Sequence, residues 1–356
     1  MAPLTIALDA MGGDKAPESV VAGARRSLKF FPELRFIFFG HEGELATLVS
    51  RYKLGDISRI IPTHTCIEMH ERPSIALRKS KGSSMRMAIE AMHDGQAQAC
   101  VSAGNTGALM AISKTVLKTL PGILRPALTA TVPAKQRPVV LLDMGANIDC
   151  TADYLMQFAL MGDAYARAVL GIKNPKIGLL NVGSEDMKGH DEVKEAHQLL
   201  KAKNLPIDYR GFVEGNDIFE GTVDVVVTDG FTGNIALKTA EGVSRIMYYA
   251  VKSAIERSLF AKLGYLFARS ALKMSFKKFD PRKHNGAILL GLNGISVKSH
   301  GNADAKSFAH AIRVAATLAT NKINDRILEE LSRTASTVHE TMVMEETTSI
   351  SITPVN

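Results

Sequence analysis

The sequence predicts an α/β fold in which a parallel-rich sheet is flanked by helices. Short runs of aliphatic and β-branched residues alternate with segments whose apolar residues recur at helical spacing, which is typical of parallel strands joined by helices. Of the 356 residues, 46% are hydrophobic and 22% are charged, which is ordinary for a globular protein and excludes extensive disorder. Because no internal repeat or low-complexity linker divides the chain, we expect residues 1–331 to form a single composite domain.

The predicted strands are short and aliphatic. In chain order they are Leu4–Leu8, Phe36–Phe39, Ala99–Ser102, Val139–Asp143, Ile177–Asn181, Val223–Thr228, Ile288–Leu290 and Ile295–Lys298. Helical spacing is found between most of them, as in Glu18–Phe30, Met85–His93, Thr151–Leu170 and Asp191–Lys201. A last long helix is predicted from Asp304 to about Leu331. The segment 332–356 is rich in Ser and Thr, and we predict that it is a flexible tail.

Positive charge is concentrated between residues 243 and 279. The chain has 43 Lys+Arg and 36 Asp+Glu, a net charge of +7, and this segment contains eight of the cations and a single acid, Glu256. Apolar residues recur in the same segment at helical spacing. We therefore predict a helix, a turn near Gly264 and a second helix, forming a protruding basic amphipathic helical hairpin over residues 240–280.

This hairpin has several candidate partners. A solvated face on a helix that packs into the core or a dimer interface explains its first half equally well. For the second half, in which an apolar turn is flanked by cations, a membrane surface or an acidic carrier protein is the better explanation. Nucleic acid is a weaker candidate, because the chain has no Trp, only 6% aromatic residues and no recognisable nucleic-acid motif.

Six loops that follow predicted strands are rich in Gly, Asn and Asp. They are residues 9–14, 102–107, 143–147, 181–190, 228–234 and 298–302. Glycine lets the backbone approach a ligand closely, and free N–H groups at the start of a helix favour an anion. Because ligands of open α/β sheets bind where the parallel strands end, we expect the six loops to share one edge of the sheet and to form an anion-binding cleft.

Several common site motifs are missing. The chain has no Gly-x-Gly-x-x-Gly dinucleotide fingerprint after the first strand, no nucleotide P-loop and no Gly-x-Ser-x-Gly nucleophile elbow. We expect Cys66, Cys100 and Cys150 to be structural or incidental, and the histidines lack metal-ligand spacing. The sequence therefore predicts no metal and no cofactor. Without a signal-peptide pattern or a long apolar stretch, it also predicts a cytoplasmic protein.

The loop sequences resemble those of a known family. The motifs are Ile-Ala-Leu-Asp-Ala-Met-Gly-Gly-Asp at 6–14 with Ala16 and Pro17, Ser-Ala-Gly-Asn-Thr-Gly-Ala at 102–108, Thr-Asp-Gly-Phe-Thr-Gly-Asn at 228–234, Asn-Gly-Ala-Ile-Leu-Leu-Gly at 285–291 and Lys-Ser-His-Gly at 298–301. On these residues the chain resembles the acyl-carrier-protein:phosphate acyltransferases (the PlsX family). The resemblance extends from about Thr5 to about Leu331.

The resemblance implies transfer of a long-chain acyl group from an acyl carrier protein to inorganic phosphate. The acyl phosphate would then acylate glycerol 3-phosphate, so a downstream glycerol-3-phosphate acyltransferase is an implied partner. The resemblance also implies a homodimer, a fold like that of phosphate acetyltransferases and isocitrate dehydrogenases, and no metal or nucleotide cofactor. Peripheral membrane association is implied through an apolar helical tip, which corresponds to Leu259–Phe267.

The residues suit that chemistry, because phosphate can attack a thioester without an acyl-enzyme intermediate. The site then needs amides, backbone N–H groups and one or two cations to hold phosphate and stabilise the oxyanion. We expect Lys188 to pair with phosphate and Asn234 to donate to phosphate or to the oxyanion, and both positions match the Lys and Asn of the family's active site. His190 and His300 are expected either to assist the departing thiolate or to make structural hydrogen bonds.

Further residues are assigned by the loop or segment that carries them. The expected phosphate-binding set is Asp9, Gly12, Gly13, Asp14, Asn105, Thr106, Gly107, Asp229, Gly233 and His300. Within it, Asp9 and Asp14 are expected to fix loop geometry or cap a helix, with a role as base the less favoured alternative. The expected carrier-docking and membrane residues are Arg257, Lys262, Leu263, Leu266, Arg269, Lys273, Lys277 and Lys278.

Two alternative functions remain open. A phosphate acetyltransferase-like or butyryltransferase-like enzyme that uses coenzyme A thioesters shares the chemistry but needs no carrier-docking surface. A non-catalytic scaffold that recruits lipid-synthesis enzymes to the membrane is a different class, and six loops of this composition argue against it because a scaffold needs no such cleft.

Overall fold

The computed structural model describes residues 3–202, 205–278 and 285–333, and in these ranges the strands form one sheet. The strands are β1 (Thr5–Asp9), β2 (Arg35–Gly40), β3 (Ser58–Pro62), β4 (Ala99–Ser102), β5 (Ala127–Val132), β6 (Val139–Leu142), β7 (Lys176–Leu180), β8 (Asp208–Val213), β9 (Val225–Val227), β10 (Ala287–Leu290) and β11 (Ser296–Lys298). Their order across the sheet is β3-β2-β1-β4-β11-β10-β5-β6-β9-β7-β8. The prediction of an α/β fold with a mostly parallel sheet is therefore confirmed.

The sheet contains two groups of parallel strands that run in opposite directions. In the first, which we call the β1 group, β3, β2, β1, β4 and β11 are parallel. In the second, which we call the β9 group, β6, β9, β7 and β8 are parallel. Between the groups, β10 is antiparallel to both β11 and β5, and β5 is antiparallel to β6, so the chain direction reverses.

This reversal corrects one prediction about the site. The loops at the carboxyl ends of β1, β4 and β11 (9–14, 102–107 and 298–302) point towards one edge of the sheet and are called the β1-group loops. The loops at the carboxyl ends of β6, β7 and β9 (143–147, 181–190 and 228–234) point the opposite way and are called the β9-group loops. The prediction that all six share one edge is wrong, because burial patterns reveal a strand but not its direction.

Helices cover both faces of the sheet. They are α1 (Glu18–Ser27), α2 (Glu42–Arg51), α3 (Pro73–Lys79), α4 (Ser84–His93), α5 (Thr106–Leu117), α6 (Ala152–Tyr165), α7 (Asp191–Ala202), α8 (Asp217–Glu220), α9 (Gly230–Glu256), α10 (Leu259–Lys278) and α11 (Ala305–Thr320). Strands β4, β6 and β9 are buried along their whole length, as expected for parallel strands with helices on both sides. Among the described residues, no helix is both long enough and apolar enough to span a bilayer.

Two predicted helices differ from those observed. The helix predicted from Asp304 to about Leu331 is interrupted at Asn321 and Lys322, where Lys322 has a φ of 50°, and the chain is helical again over 323–333. The helix predicted over Thr151–Leu170 ends as α6 at Tyr165 and continues as a π-helical segment. Of the predicted tail, residues 332 and 333 belong to the last helical stretch and the remainder lies outside the described residues.

The predicted helical hairpin is present as two helices, but its turn lies elsewhere. Helix α9 ends at Glu256 and α10 begins at Leu259, so the break is at Arg257 and Ser258, while Gly264 lies inside α10. Ser258 caps the second helix, because its Oγ accepts a hydrogen bond from the Ala261 N–H at 3.3 Å. A glycine inside a helix costs only about 1 kcal/mol relative to alanine, so it need not end one. The domain boundaries at 331 and 240–280 stay predictions.

Candidate functional site

The β1-group loops are organised around the carboxylate of Asp9. Asp9 ends β1 and is almost completely buried. Its two oxygens accept hydrogen bonds from the hydroxyls of Ser84 at 2.7 Å and Ser102 at 2.6 Å, and from the Met11 N–H at 3.3 Å. Burial raises the pKa of Asp9, and the hydrogen bonds oppose that shift. One side chain therefore joins the end of β1 to the end of β4 and the start of α4.

Tight backbone packing holds the first of these loops against its neighbours. A Cβ on Gly12 would lie 2.4 Å from Asp9 Oδ2 and 2.7 Å from the Gly104 nitrogen, so only glycine fits there. The Asp14 N–H donates to the Gly301 carbonyl at 2.8 Å, while the Asp14 side chain is exposed. The predicted residues Gly12, Gly13 and Asp14 are thus brought next to the loop that contains His300.

Asn105 is committed to the protein itself. It caps α5, because its Oδ1 accepts from the Ala108 N–H at 3.0 Å. Its Nδ2 donates to the carbonyls of Glu68 at 3.3 Å, Met69 at 3.0 Å and Glu71 at 2.8 Å. The Asn105 side chain therefore fastens the 68–71 segment in this arrangement, and its expected role in phosphate binding stays a prediction. Thr106 and Gly107 form the first turn of α5, where backbone N–H groups lack helical acceptors.

A buried lysine ends β11. Lys298 is only 9% exposed, and its Nζ donates to the Ala103 carbonyl at 3.4 Å and to the Ser299 carbonyl. The pKa of Lys298 is lowered to about 8, mainly by burial. Lys238 contributes to this lowering, whereas Asp9 and Asp14 act in the opposite direction. In the sequence, Lys298 stands out only as part of the Lys-Ser-His-Gly motif at 298–301. A lysine directly after a predicted buried strand is the signal that could have found it.

His300 lies beside this lysine. Its backbone N–H donates to Asn285 Oδ1 at 3.0 Å, which fixes the turn after β11. Desolvation lowers the pKa of its imidazole, Glu241 opposes that effect, and Lys298 and Lys238 lower the pKa further. The imidazole therefore favours its neutral form near neutral pH.

Asp143 organises the β9-group loops. It follows β6 and is fully buried. Its carboxylate accepts hydrogen bonds from the backbone N–H groups of Leu128, Gly145, Ala146 and Asn147 at 2.7–3.1 Å, and from Asn147 Nδ2 at 2.8 Å. Burial raises the pKa of Asp143, and these donors oppose the shift. The 143–147 loop is thus a rigid turn wound around one carboxylate.

The first turn of α9 packs directly on this loop. The cap is Asp229, whose oxygens accept from the Thr232 N–H at 2.8 Å and the Thr232 hydroxyl at 2.7 Å. A Cβ on Gly233 would come within 1.9 Å of the Asp143 carbonyl oxygen, so glycine is required for the close approach. Asn234, one residue later, has its side chain beside Gly145. The predicted residues Asp229, Gly233 and Asn234 therefore meet at the 143–147 loop.

Lys188 stands apart on the exposed 181–190 loop. Its Nζ pairs with Glu185 Oε1 at 2.8 Å, and this hydrogen bond raises the pKa of Lys188. The Asn181 side chain donates to the Lys188 carbonyl at 2.9 Å and shapes the turn. His190 is exposed at the start of α7, where its carbonyl accepts from the N–H groups of Val193 and Lys194. An anion that binds Lys188 must compete with Glu185.

Helix α9 connects the two groups of loops. Asn234, Lys238 and Glu241 are spaced by four and three residues and so lie on one face of the helix. At one end of this face Asn234 contacts the 143–147 loop, and at the other Lys238 and Glu241 perturb the pKa of His300. This spacing was visible in the sequence, but without the fold nothing indicated that the helix would cross between the two sets of loops.

Relatives with known names match almost the whole chain. A family model described as "Fatty acid synthesis protein" matches residues 4–326. The chain is 52% identical over 333 residues to a phosphate acyltransferase of Paramagnetospirillum magneticum, covering 93% of this chain and 95% of that protein. The chain belongs to the phosphate acyltransferase family. It is also 50% identical over 339 residues to the Caulobacter vibrioides phosphate acyltransferase, covering 94% of each.

Solved structures place this phosphate acyltransferase family member in a wider fold group. A phosphotransacetylase from Streptococcus pyogenes superposes with a TM-score of 0.60 and 21% identity, covering 89% of this chain and 94% of that one. A branched-chain phosphotransacylase from Enterococcus faecalis gives a TM-score of 0.56 and 17% identity, covering 89% and 99%. At these identities the likeness shows the fold alone, and it agrees with the predicted resemblance to phosphate acetyltransferases.

The expected docking residues of this phosphate acyltransferase family member lie at the helix break and on α10. Arg257, Lys262 and Arg269 are exposed, and Leu263 and Leu266 are exposed beside them. Lys273, Lys277 and Lys278 belong to α10, but their side chains lie outside the described part of the structure.

The three cysteines differ in burial. Burial raises the pKa of the Cys100 and Cys150 thiols to about 12, so neither is a thiolate at neutral pH, whereas Cys66 is exposed. Within the described ranges, His, Cys, Asp and Glu side chains do not gather in groups of three or more that could hold a metal ion.

Proposed function

We propose that this member of the phosphate acyltransferase family transfers a long-chain fatty acyl group from the thioester of an acyl carrier protein to inorganic phosphate. The acyl phosphate then serves a glycerol-3-phosphate acyltransferase in phosphatidic acid synthesis. The observation that carries the proposal is the similarity, over nearly the whole chain, to relatives named phosphate acyltransferase.

The reaction needs few groups from the protein. A phosphate oxygen attacks the thioester carbonyl, a C–O bond forms, and collapse of the tetrahedral oxyanion breaks the C–S bond and releases the carrier thiolate, which takes up a proton. An ordinary thiol has a pKa of about 8.5, so its thiolate is a tolerable leaving group. Loops rich in amides and backbone N–H groups, together with a few lysines, suit the positioning of phosphate and the stabilisation of the oxyanion.

Apolar side chains on the β9-group loops support a fatty acyl group as cargo. Val182 and Met187 flank the turn of the 181–190 loop and are 75% and 90% exposed. Exposed Ile148, Phe231 and Ile235 stand on the neighbouring loop and on the first turns of α9. Since β6, β9 and β7 are adjacent, these side chains stand at one edge of the sheet, where they offer apolar surface to a long chain next to Asn234.

The exposed cations around the helix break support an acidic carrier protein as donor. Arg257, Lys262 and Arg269 have only Glu256 as an acidic neighbour in this segment. We expect the affinity for the carrier to fall as salt rises, because exposed charges are screened over about 8 Å at physiological ionic strength. An enzyme that uses coenzyme A thioesters binds no carrier protein and so needs no such basic surface. The surface therefore favours a carrier protein as donor.

Exposed apolar residues on α9 and α10 support both a homodimer and contact with a membrane surface. The set is Val243, Ile246, Met247, Tyr248, Tyr249, Val251, Leu259, Phe260, Leu263, Tyr265, Leu266 and Phe267. A soluble monomer rarely exposes so much contiguous apolar surface. We assign the α9 part to a second copy of the chain and the α10 part to the membrane, where the downstream acyltransferase is the partner.

The test is direct. The full chain is incubated with palmitoyl-carrier thioester, with and without inorganic phosphate, and acyl phosphate and free carrier thiol are measured. We expect equal amounts of both products and no reaction without phosphate. Palmitoyl-coenzyme A serves as the competing donor, and a clear preference for it would overturn the assignment of the carrier. A fatty chain trapped covalently on the protein would overturn direct attack by phosphate.

A variant tests the role of Lys188 in this reaction. Lys188→Ala is expected to lower acyl phosphate formation by on the order of a hundredfold, because it removes a charge that stabilises the transition state. Lys194→Ala is the matched control, since Lys194 is a nearby lysine that pairs with Asp191 on α7. Turnover of Lys188→Ala within a few-fold of the control would remove Lys188 from the mechanism.

A further inference from the structure

We propose that Lys298, assisted by Lys238 from α9, is the cation that binds inorganic phosphate, in the space where α9 approaches the β1-group loops. This inference rests on the proposed function for the identity of the anion and adds a binding site that Lys188 and Asn234 do not explain.

Lys298 is buried without an ion-pair partner. Among the residues that the structure describes, no carboxylate lies within 4.0 Å of its Nζ, and its two hydrogen bonds go to the neutral carbonyls of Ala103 and Ser299. Asp9 influences Lys298 through space, but its own hydrogen bonds go to Ser84, Ser102 and the backbone. A buried charge is expensive unless it is paired, and an ammonium group has three N–H donors. One N–H donor of the Lys298 ammonium group is therefore available to a ligand, and most of its positive charge is not neutralised by the protein.

A second lysine acts on Lys298 through its charge. Lys238 pairs with Glu241 at 3.0 Å, and its charge lowers the pKa of both Lys298 and His300. Two like charges that approach each other in this way cost free energy in the absence of a ligand. A ligand carrying two negative charges relieves that repulsion. Phosphate fits because it is a mixture of monoanion and dianion near neutral pH and offers several acceptor oxygens.

The backbone nearby has the groups that an anion requires. Ala103, which accepts from Lys298, lies three residues before the start of α5 at Thr106. Thr106 and Gly107 present N–H groups without helical acceptors. The charged and titratable groups that influence the site are Asp9 and Asp14 from the β1 loop, Lys238 and Glu241 from α9, and His300. Asp9 is the carboxylate with the larger effect on the pKa of Lys298, and the effect of the exposed Asp14 is smaller.

Equilibrium binding tests the site without any acyl donor. Radiolabelled inorganic phosphate is dialysed against the full chain and against the variants Lys298→Met, Lys298→Arg and Lys238→Met, with Lys194→Met as control. We expect Lys298→Met to raise the Kd for phosphate at least tenfold, Lys238→Met to raise it several-fold, and Lys298→Arg to retain part of the affinity because it keeps the charge. A Kd within twofold of wild type for a folded Lys298→Met would overturn the proposal.

Amine labelling of the wild-type chain covers the case in which Lys298→Met does not fold. An amine-reactive reagent is applied with no ligand, with phosphate or with 4′-phosphopantetheine, and each lysine is followed by mass spectrometry. We expect inorganic phosphate to protect Lys298 and Lys238 but not Lys194. Lack of protection, or protection by phosphopantetheine alone, would overturn the assignment to inorganic phosphate.

These measurements separate the two hypotheses. If phosphate binds at Lys298 but no thioester yields acyl phosphate, the proposed function fails and the anion site stands. If acyl phosphate forms and Lys298→Arg leaves both KM for phosphate and kcat unchanged while Lys298→Met binds phosphate normally, the inference about Lys298 fails and the proposed function stands.

Discussion

Asp9 and Asp143 both lie at the carboxyl ends of strands, but their carboxylates have different structural roles. The carboxylate of Asp143 accepts four backbone N–H groups and one side-chain amide, four of these five donors coming from its own loop, and so it shapes a single turn. Asp9 accepts from Ser84 and Ser102, which lie on other elements, and so it ties three parts of the fold together. Both buried carboxylates are thus stabilised by hydrogen-bond donors of the protein.

Lys298 has no carboxylate partner among the described residues, because its ammonium group donates only to two neutral carbonyls. Its protonation state is expected to control activity. Its pKa of about 8 means that the positive charge is lost as pH rises through 8, so kcat/KM for phosphate is expected to fall above that pH. Lys298→Arg should retain its charge to pH 10 and lack this descending limb, since arginine stays protonated. The measurement is kcat/KM for phosphate between pH 6.5 and about 10 for both proteins.

The lowered pKa of Lys298 is expected to change stability with pH in the direction opposite to activity. Lys298 titrates near 8 when folded and near 10.5 when unfolded, so between these values the unfolded state holds more protons. The contribution of Lys298 to the free energy of unfolding therefore rises with pH in this window. Activity that falls while stability does not decrease would distinguish the loss of a charge from alkaline unfolding. Identical pH profiles for wild type and Lys298→Arg would contradict the prediction.

At the scale of elements, the sequence predicts most of the strands that are buried in the sheet. β1, β4 and β6 were found because parallel strands are uninterrupted aliphatic runs, and the Gly- and Asn-rich loops after them were found for the same reason. Three strands are not predicted. β3 and β8 are only partly buried and their residues are mixed. β5 is buried, but its Ala and Thr residues interrupt the aliphatic run. The position of the break between α9 and α10 was also missed, because a capping serine and not the glycine decides it.

Gly233 lies where helix α9 contacts the 143–147 loop, so a side chain at this position is expected to be destabilising. In Gly233→Ala the new methyl group would meet the Asp143 carbonyl at 1.9 Å, so α9 must shift away from the 143–147 loop. We expect a loss of about 1–3 kcal/mol or more in the free energy of unfolding, and a large loss of activity because Asn234 moves with the helix. Urea unfolding and the acyl phosphate assay measure the two effects.

Gly242→Ala on the same helix is the matched control. A Cβ there meets nothing within 4 Å, so alanine should leave activity unchanged and stabilise the helix by up to about 1 kcal/mol. Equal effects of the two substitutions would show that the close approach of α9 to Asp143 has no energetic importance.

For the whole molecule, the reversal of strand direction decides where the candidate residues lie. Lys188 and Asn234 belong to the β9 group, and Asp9 and Lys298 to the β1 group, whose carboxyl ends face the opposite way. No sequence pattern in the strands reports this reversal, which arises from the antiparallel pairing of β5 with β6. The candidate residues therefore lie at both carboxyl edges of the sheet, and α9 reaches from one set of loops to the other.

Helix α10 exposes several apolar residues, which are expected to attach the chain to membranes. Leu263→Glu combined with Leu266→Glu replaces two leucines that are 56% and 66% exposed with acids. Each buried leucine contributes about 1.5–3 kcal/mol to partitioning, and the added acids repel anionic lipid. We therefore expect flotation with vesicles of mixed zwitterionic and anionic phospholipid to fall at least tenfold.

The control for flotation is Leu124→Glu combined with Ile148→Glu. These side chains are 53% and 68% exposed, so the change in exposed apolar surface and in charge is matched, but neither residue lies on α9 or α10. The control protein should float like wild type, and the α10 variant should still form acyl phosphate from soluble carrier thioester. Equal flotation of the two variants would refute attachment through α10, because net charge alone would then explain any loss.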